Sequence, residues 1–121
     1  MTEGAEMAET AVERLHMDYN AERFDKIYDA ATKEYKAATT REMNNRLFKT
    51  IRKRLGKVVD AKRTGWNVNA TTNGTFVSLV YETEFEKGKG QESYQMKVYD
   101  GSAKMNGFNV NSPELMVELE E

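Results

Sequence analysis

In the first part of the chain, apolar residues recur every three or four positions, which is the spacing of one face of a helix. The pattern predicts a first helix over 6–20 and a second over 21–32, with Asn20 ending the one and capping the other. Between 33 and 38 the pattern is less regular, and the sequence predicts no helix there.

A third helix has the clearest signals. Thr39 and Glu42 have the spacing of a capping box, and Gly56 stands where a helix that ends at Leu55 needs a left-handed residue. The apolar stripe of this helix is Met43, Leu47, Phe48, Ile51 and Leu55. Burial contributes about 1.5–3 kcal/mol per large side chain, which outweighs the weak helix propensity of the two asparagines within the helix.

After Gly56 the period changes to the alternation that is typical of strands. Four strands are predicted, over 57–71, 75–86, 91–99 and 102–111. The Asn73-Gly74 pair is typical of a two-residue hairpin, and the next two connections also contain glycine. Three hairpins in succession predict an antiparallel meander.

One face of the middle strands is apolar, which marks it as the side that packs on the helices. The inward residues predicted here are Val77, Leu79, Tyr81, Thr83 and Phe85, then Tyr94, Met96 and Val98. We expect no carboxylate on this face, because the acids of the second strand alternate to the other side. In the fourth strand the alternation slips at Gly107, which indicates a bulge that bends the strand.

Helices grouped before hairpins predict an α+β domain, with three N-terminal helices packed on a curved four-stranded antiparallel sheet. With 121 residues, the chain has room for one core. We expect a disordered start over 1–5, a single domain over 6–112 and a short helical tail over 113–121. The tail is predicted because Ser112 and Pro113 have the form of a helix start.

Composition and charge exclude some classes of chemistry. The chain has no cysteine, which excludes disulfides, thiolate catalysis and cysteine-bound zinc. A net charge of −2 gives no overall field for nucleic acid, and no apolar run is long enough to span a membrane. From Arg41 to Arg63, nine basic residues stand against two acidic ones, which is either a solvated surface or a patch for an anionic partner.

Four short motifs carry a resemblance to a known group of proteins. They are Arg54-Leu55-Gly56-Lys57-Val58-Val59, Thr64-Gly65-Trp66-Asn67-Val68, Tyr81-Glu82-Thr83-Glu84-Phe85-Glu86 and Gly107-Phe108-Asn109-Val110-Asn111-Ser112. Over about 6–112, the chain resembles small bacterial domains of unknown function in the cystatin-like, nuclear-transport-factor-two-like superfamily.

The resemblance implies a cone of three helices and a curled sheet, often with a pocket at its open end and often dimeric. It also implies export to the periplasm or a lipoprotein origin, although the sequence shows no leader. The superfamily contains isomerases, dehydratases and accessory domains, so membership alone does not define a function.

Six aromatic residues are the candidates to line such a pocket, since most of them join an apolar ring to a polar tip. They are Tyr19, Tyr28, Trp66, Tyr81, Tyr94 and Phe108. The alternative is that they are core residues whose polar tips reach water or backbone. We expect a non-enzymatic binding or accessory domain, a homodimer that holds a small apolar ligand and uses no cofactor.

Two other functions stay open. A cone-type isomerase or hydrolase would have to use Tyr81 and Tyr94 with His16 or Asp18 as proton-transfer groups. His16 is the only histidine and has no evident partner for a metal, so the sequence predicts neither a catalytic nor a metal site. A protein–protein interaction module would use the basic third helix.

Overall fold

The computed structural model describes residues 2–115, in which four helices precede a four-stranded antiparallel sheet and a helical segment over 113–115 follows it. The helices are α1 (Glu3–Asn20), α2 (Phe24–Asp29), α3 (Lys33–Ala38) and α4 (Arg41–Leu55). The strands are β1 (Val58–Thr71), β2 (Gly74–Phe85), β3 (Gly88–Tyr99) and β4 (Ser102–Asn111). The α+β class with helices before an antiparallel sheet is confirmed, whereas the predicted number of three helices is wrong.

Thr32 explains the additional helix. Its hydroxyl accepts a hydrogen bond from the Tyr35 amide at 3.0 Å, which caps α3. Its own amide donates to the Met105 carbonyl on β4 at 2.9 Å. The irregular stretch between 33 and 38 is therefore a short helix that is held on the sheet by a contact with β4. Because β4 is distant in sequence, the local pattern does not show this contact.

The first helix begins earlier than predicted. Helix α1 starts at Glu3, inside the segment 1–5 for which we expected disorder, and Ala5 is fully buried. Thr2 caps the helix by accepting a hydrogen bond from the Ala5 amide at 3.1 Å.

Two of the predicted caps are wrong and one is confirmed. Asn20 ends α1 but does not cap α2, because its side chain accepts from the Val58 amide at 2.8 Å and donates to the Val58 carbonyl at 3.1 Å. Thr40, not Thr39, is the N-cap of α4. Gly56 ends α4 with a φ of 79°, as predicted.

The sheet is open, with the strand order β1-β2-β3-β4, so β1 and β4 are its edges. The second hairpin is tighter than predicted, since β3 starts at Gly88 and not at Gln91. A register shift in β4 leaves Asn106 as an extra residue beside Gly107, which confirms the predicted bulge. Two further shifts, both in β1 and at Val59 and Thr64, were not predicted.

The helices pack on the sheet face that the sequence alternation identified. The predicted residues of this face that are buried are Val77, Leu79, Tyr81, Thr83 and Phe85 on β2 and Tyr94 and Met96 on β3. Val12, Tyr19, Phe48, Ile51 and Leu55 meet them from the helices. None of the helices in 2–115 is long and apolar enough to cross a membrane. The predicted tail is helical over 113–115, and 116–121 lie outside the described residues.

Candidate functional site

A buried carboxylate lies on the helix-facing side of the sheet, where we expected none. The side chain belongs to Glu92 on β3, and the residue is 3% exposed. Glu92 stands two positions before Tyr94 and four before Met96, so all three point to the same face. The prediction that no carboxylate faces inward is wrong, and the strand alternation already contained the signal.

Glu92 accepts three hydrogen bonds. The Thr83 hydroxyl donates to Oε1 at 2.6 Å and the Tyr94 hydroxyl donates to Oε2 at 2.6 Å. His16 Nε2–H donates to Oε1 at 2.8 Å, and the same nitrogen lies 3.2 Å from the Tyr94 hydroxyl oxygen. We call these four residues the Glu92 cluster. Since an ionised carboxylate only accepts and its three neighbours can all donate, the cluster satisfies itself.

The surroundings keep Glu92 ionised. Burial alone raises the pKa of its carboxyl, but the hydrogen bond and charge of His16 and the hydrogen bonds from Thr83 and Tyr94 outweigh burial. The pKa of Glu92 is therefore held below its ordinary value of 4.5. Burial first, and then the Glu92 charge, raise the pKa of Tyr94 well above 10.0, so this phenol stays protonated.

Tyr81 lies against the Glu92 cluster without joining its hydrogen bonds. Its ring centroid is 6.0 Å from that of Tyr94 and 6.2 Å from that of His16. The hydroxyl is buried and has no hydrogen-bond partner among residues 2–115. Three of the four residues named for a cone-type enzyme therefore meet here, whereas Asp18 accepts instead from Arg23 Nε at 3.0 Å.

A pocket of about 520 Å³ lies beside α1, between that helix, the end of α2 and the start of β4. The wall is apolar and consists of Met7, Ala11, Leu15, Ile27, Ala30, Ala103 and Met105. Exposed polar residues complete the lining: Glu3, Glu6, Thr10, Arg14, Ser102 and Lys104. The volume falls in the range of about 300–1,000 Å³ that is typical of small-molecule sites.

None of the six aromatic candidates lines this pocket. The Tyr19 hydroxyl donates to the Gly56 carbonyl at 2.7 Å, and the Tyr28 hydroxyl donates to the Thr39 carbonyl at 2.8 Å. These two rings match the alternative interpretation, in which core tyrosines bond to backbone.

The other candidates are dispersed. Trp66 is 43% exposed on β1, and Tyr81 and Tyr94 belong to the surroundings of Glu92. Phe108 packs on Phe48 at a centroid distance of 5.1 Å. Tyr94 and Phe108 also contribute to a shallower hollow of about 290 Å³ over β2, β3 and β4.

Part of the basic stretch is paired within the chain. Arg41 contacts Asp25 at 3.0 Å and Asp29 at 2.6 Å, both on α2. Arg63 Nε lies 2.7 Å from a carboxylate oxygen of Glu9 on α1. Each such surface pair contributes little to stability, but it reduces the positive charge that faces an external partner.

Similarity to known proteins adds nothing to these two sites. No protein-family model matches the chain, and no curated protein is significantly similar to it. The resemblance to cystatin-like domains therefore stays a prediction, and the function has to be inferred from the geometry of the sites.

Proposed function

We propose that this protein is a non-enzymatic binding domain that holds a small apolar or amphipathic molecule in the pocket beside α1. The observation that carries the proposal is the volume of about 520 Å³ behind an apolar wall, with polar side chains at its edge. Small-molecule sites have this combination, because the wall supplies affinity and the few polar groups supply orientation.

The types of residue in the wall support the proposal. Three of them are alanines, Ala11, Ala30 and Ala103, which leave open space where larger side chains would close the gap. Met7 and Met105 stand among them, and methionine side chains are flexible and polarisable enough to adapt to a ligand. The ligand that fits is a compact apolar body whose polar end lies near the exposed side chains at the edge.

The methionine methyl groups provide a direct test. With ¹³C-methyl methionine, titration with decanoate or with anilinonaphthalene sulfonate should shift the NMR signals of Met7 and Met105. Met17 and Met43 are 65% and 54% exposed, do not line the pocket, and should not move. Shifts at Met17 and Met43 equal to those at Met7 and Met105 would indicate non-specific binding and contradict the proposal.

A variant that fills the pocket provides a second test of ligand binding. Ala11→Leu puts three more carbons into the space and should weaken binding of the same probes by about tenfold or more, since each buried CH₂ is worth about 0.8 kcal/mol. Ala37→Leu makes the same change at an exposed position of α3 and should bind like wild type. Unchanged binding by Ala11→Leu would place the ligand elsewhere.

The superfamily, the cone and the homodimer belong to the same proposal. Helices that precede an antiparallel meander support the resemblance to cystatin-like domains, and an open sheet is compatible with curling into a cone. Small-angle scattering in solution tests the two finer points together, because it reports the molecular mass and the overall shape.

The alternative of a small-molecule isomerase or hydrolase has one specific observation in its favour. His16, Tyr94 and Glu92 come together with distances of 2.6–3.2 Å, as acid–base catalysis requires. The cluster is closed, however, because the His16 side chain is 12% exposed and the Glu92 side chain 4%. Diethyl pyrocarbonate should therefore modify His16 slowly in the folded protein, and modification as fast as that of free imidazole would favour the enzyme.

A further inference from the structure

The two edges of the sheet differ in how they are covered. The middle of the β4 edge is covered by Thr32, whose amide donates to the Met105 carbonyl at 2.9 Å and whose hydroxyl donates to Asn106 Oδ1 at 2.7 Å. The first part of β1 is covered as well, since Asn20 makes two hydrogen bonds to the Val58 backbone.

The second part of β1, over 64–71, has no such cover. Within residues 2–115, its hydrogen bonds go only to β2 and to the turn that follows. Every residue of this segment except Gly65 is exposed. A strand with one free edge presents unpaired backbone donors and acceptors, which are a template for a further strand. We call residues 64–71 the open edge.

Beyond the bulge at Thr64, the open edge lacks charged residues and proline, which usually prevent pairing. Its sequence is Thr-Gly-Trp-Asn-Val-Asn-Ala-Thr, without a charge or a proline. Trp66 pairs with Leu79 and Val68 with Val77 across the sheet, so both point to the helix-facing side, where they are 43% and 37% exposed. Natural edges usually carry lysine, proline or a cover at such places.

We propose that the open edge pairs antiparallel with the open edge of a second copy of this chain, about a two-fold axis at Asn67. An antiparallel pair of identical segments is self-complementary under two-fold symmetry, and residues directly opposite must share a face of the sheet. In this register Trp66 of each copy lies opposite Val68 of the other. The interface then contains two cross-strand pairs, each of an aromatic residue with a β-branched one, and such pairs stabilise sheets.

The charges of β1 favour this register over those displaced toward the start of the strand. With the axis at Asn67, the pairs that lie beyond the bulge at Thr64 involve only residues 65–69, and none of these residues is charged. With the axis at Arg63, this arginine would lie opposite its own copy, which is destabilising for like charges. The uncharged segment therefore favours the register about Asn67 when it pairs with a second copy.

The absence of cysteine makes the register testable by crosslinking. Cα atoms that lie opposite each other are about 4.5–5.5 Å apart, which a disulfide can bridge. Asn67→Cys should therefore form a disulfide-linked dimer under mild oxidation. Asn69→Cys is the matched control, because residue 69 is an exposed asparagine on the same face. Residue 69 lies two positions from the axis, so the Cα atoms of residue 69 in the two copies would be about 14 Å apart. A disulfide cannot bridge this distance.

The proposal predicts crosslinking at 67 at least about tenfold faster than at 69, because only position 67 falls within disulfide reach. Equal rates at both positions, or no crosslink at either, would overturn it. Analytical ultracentrifugation gives a second measurement that needs no cysteine. The interface is small, so we expect a reversible dimer whose fraction rises with concentration.

A charge variant links the dimer to the open edge. Combined Trp66→Lys and Val68→Lys places lysines opposite each other and should weaken dimerisation by about tenfold or more. Ser78→Lys adds a lysine at an exposed position of the neighbouring strand and should leave dimerisation unchanged. A wild-type chain that sediments as a monomer at every concentration would contradict the proposal whatever the variants do.

Discussion

The two sides of α1 bury different kinds of chemistry. On one side, His16 meets the Glu92 carboxylate and the Tyr94 hydroxyl within 3.2 Å. On the other side, Met7 and Ala11 face a pocket of about 520 Å³. Hydrogen bonds are directional, so the polar side is closed and each group has a defined partner. Apolar contacts have no direction, so the other side leaves a volume that a ligand can occupy.

The comparison predicts that substitutions on the polar side lower the free energy of unfolding most. Glu92→Ala leaves the donors of His16, Thr83 and Tyr94 without their acceptor in a closed space. The free energy of unfolding should fall by about 3–5 kcal/mol, measured by urea denaturation at pH 7 with circular dichroism. Glu84→Ala removes an exposed carboxylate from the neighbouring strand and should change it by about 0.5 kcal/mol or less.

Glu92→Gln keeps the prediction testable if the alanine variant does not fold. Glutamine keeps the shape and one acceptor oxygen, so the loss should lie between those of the other two variants. An equal effect of Glu92→Ala and Glu84→Ala would show that the Glu92 cluster does not hold α1 against the sheet.

The hydroxyl of Tyr94 should have the next largest effect. Tyr94→Phe removes a hydrogen bond of 2.6 Å to an ionised, buried carboxylate and leaves the ring in place. Hydrogen bonds to charged groups contribute about 1.5–3 kcal/mol, and we expect a loss of this size in the free energy of unfolding. A loss below about 0.5 kcal/mol would mean that His16 and Thr83 alone satisfy Glu92.

Much of this architecture follows from local pattern. The α+β class, the inward face of β2 and the bulge beside Gly107 were all predicted, because each depends on alternation or on a turn within a few residues. The separate helix α3 was missed, since Thr32 binds a carbonyl of β4 that is distant in sequence.

The two sites were predictable to different degrees. Glu92 could have been found, because it shares the alternation of Tyr94 and Met96, and only its charge argued against burial. The pocket could not, because its volume depends on how Ala11 on α1 lies against Ala103 on β4. No local pattern reports the distance between two such elements.

Acid should weaken the polar side. The pKa of Glu92 is lowered in the folded protein, so its ionised form stabilises the fold above its ordinary pKa of 4.5. This contribution is lost as the pH falls below 4.5 and through the folded pKa. The difference in unfolding free energy between wild type and Glu92→Gln should therefore shrink from pH 7 to pH 3.

The glutamine variant isolates this effect from the other carboxylates. Hydrogen bonds from Asn45 and Arg41 lower the pKa of Asp25, and a backbone hydrogen bond and Lys97 lower that of Glu34. Both residues are present in the two proteins, so their contributions cancel in the difference. A difference that stays constant with pH would show that Glu92 does not change its protonation on unfolding.

The smallest expected effect on the free energy of unfolding is that of Tyr81→Phe, which tests whether Tyr81 belongs to the polar side. Tyr81 neighbours Tyr94, but its buried hydroxyl has no hydrogen-bond partner among residues 2–115. Tyr81→Phe removes a polar group that is desolvated without compensation, so stability should stay the same or rise by up to about 1 kcal/mol. Urea denaturation of Tyr81→Phe and Tyr94→Phe under the same conditions checks this, because each variant removes one hydroxyl from one of two adjacent buried rings. A loss equal to that of Tyr94→Phe would extend the hydrogen-bonded cluster to Tyr81 and revise which groups the polar side contains.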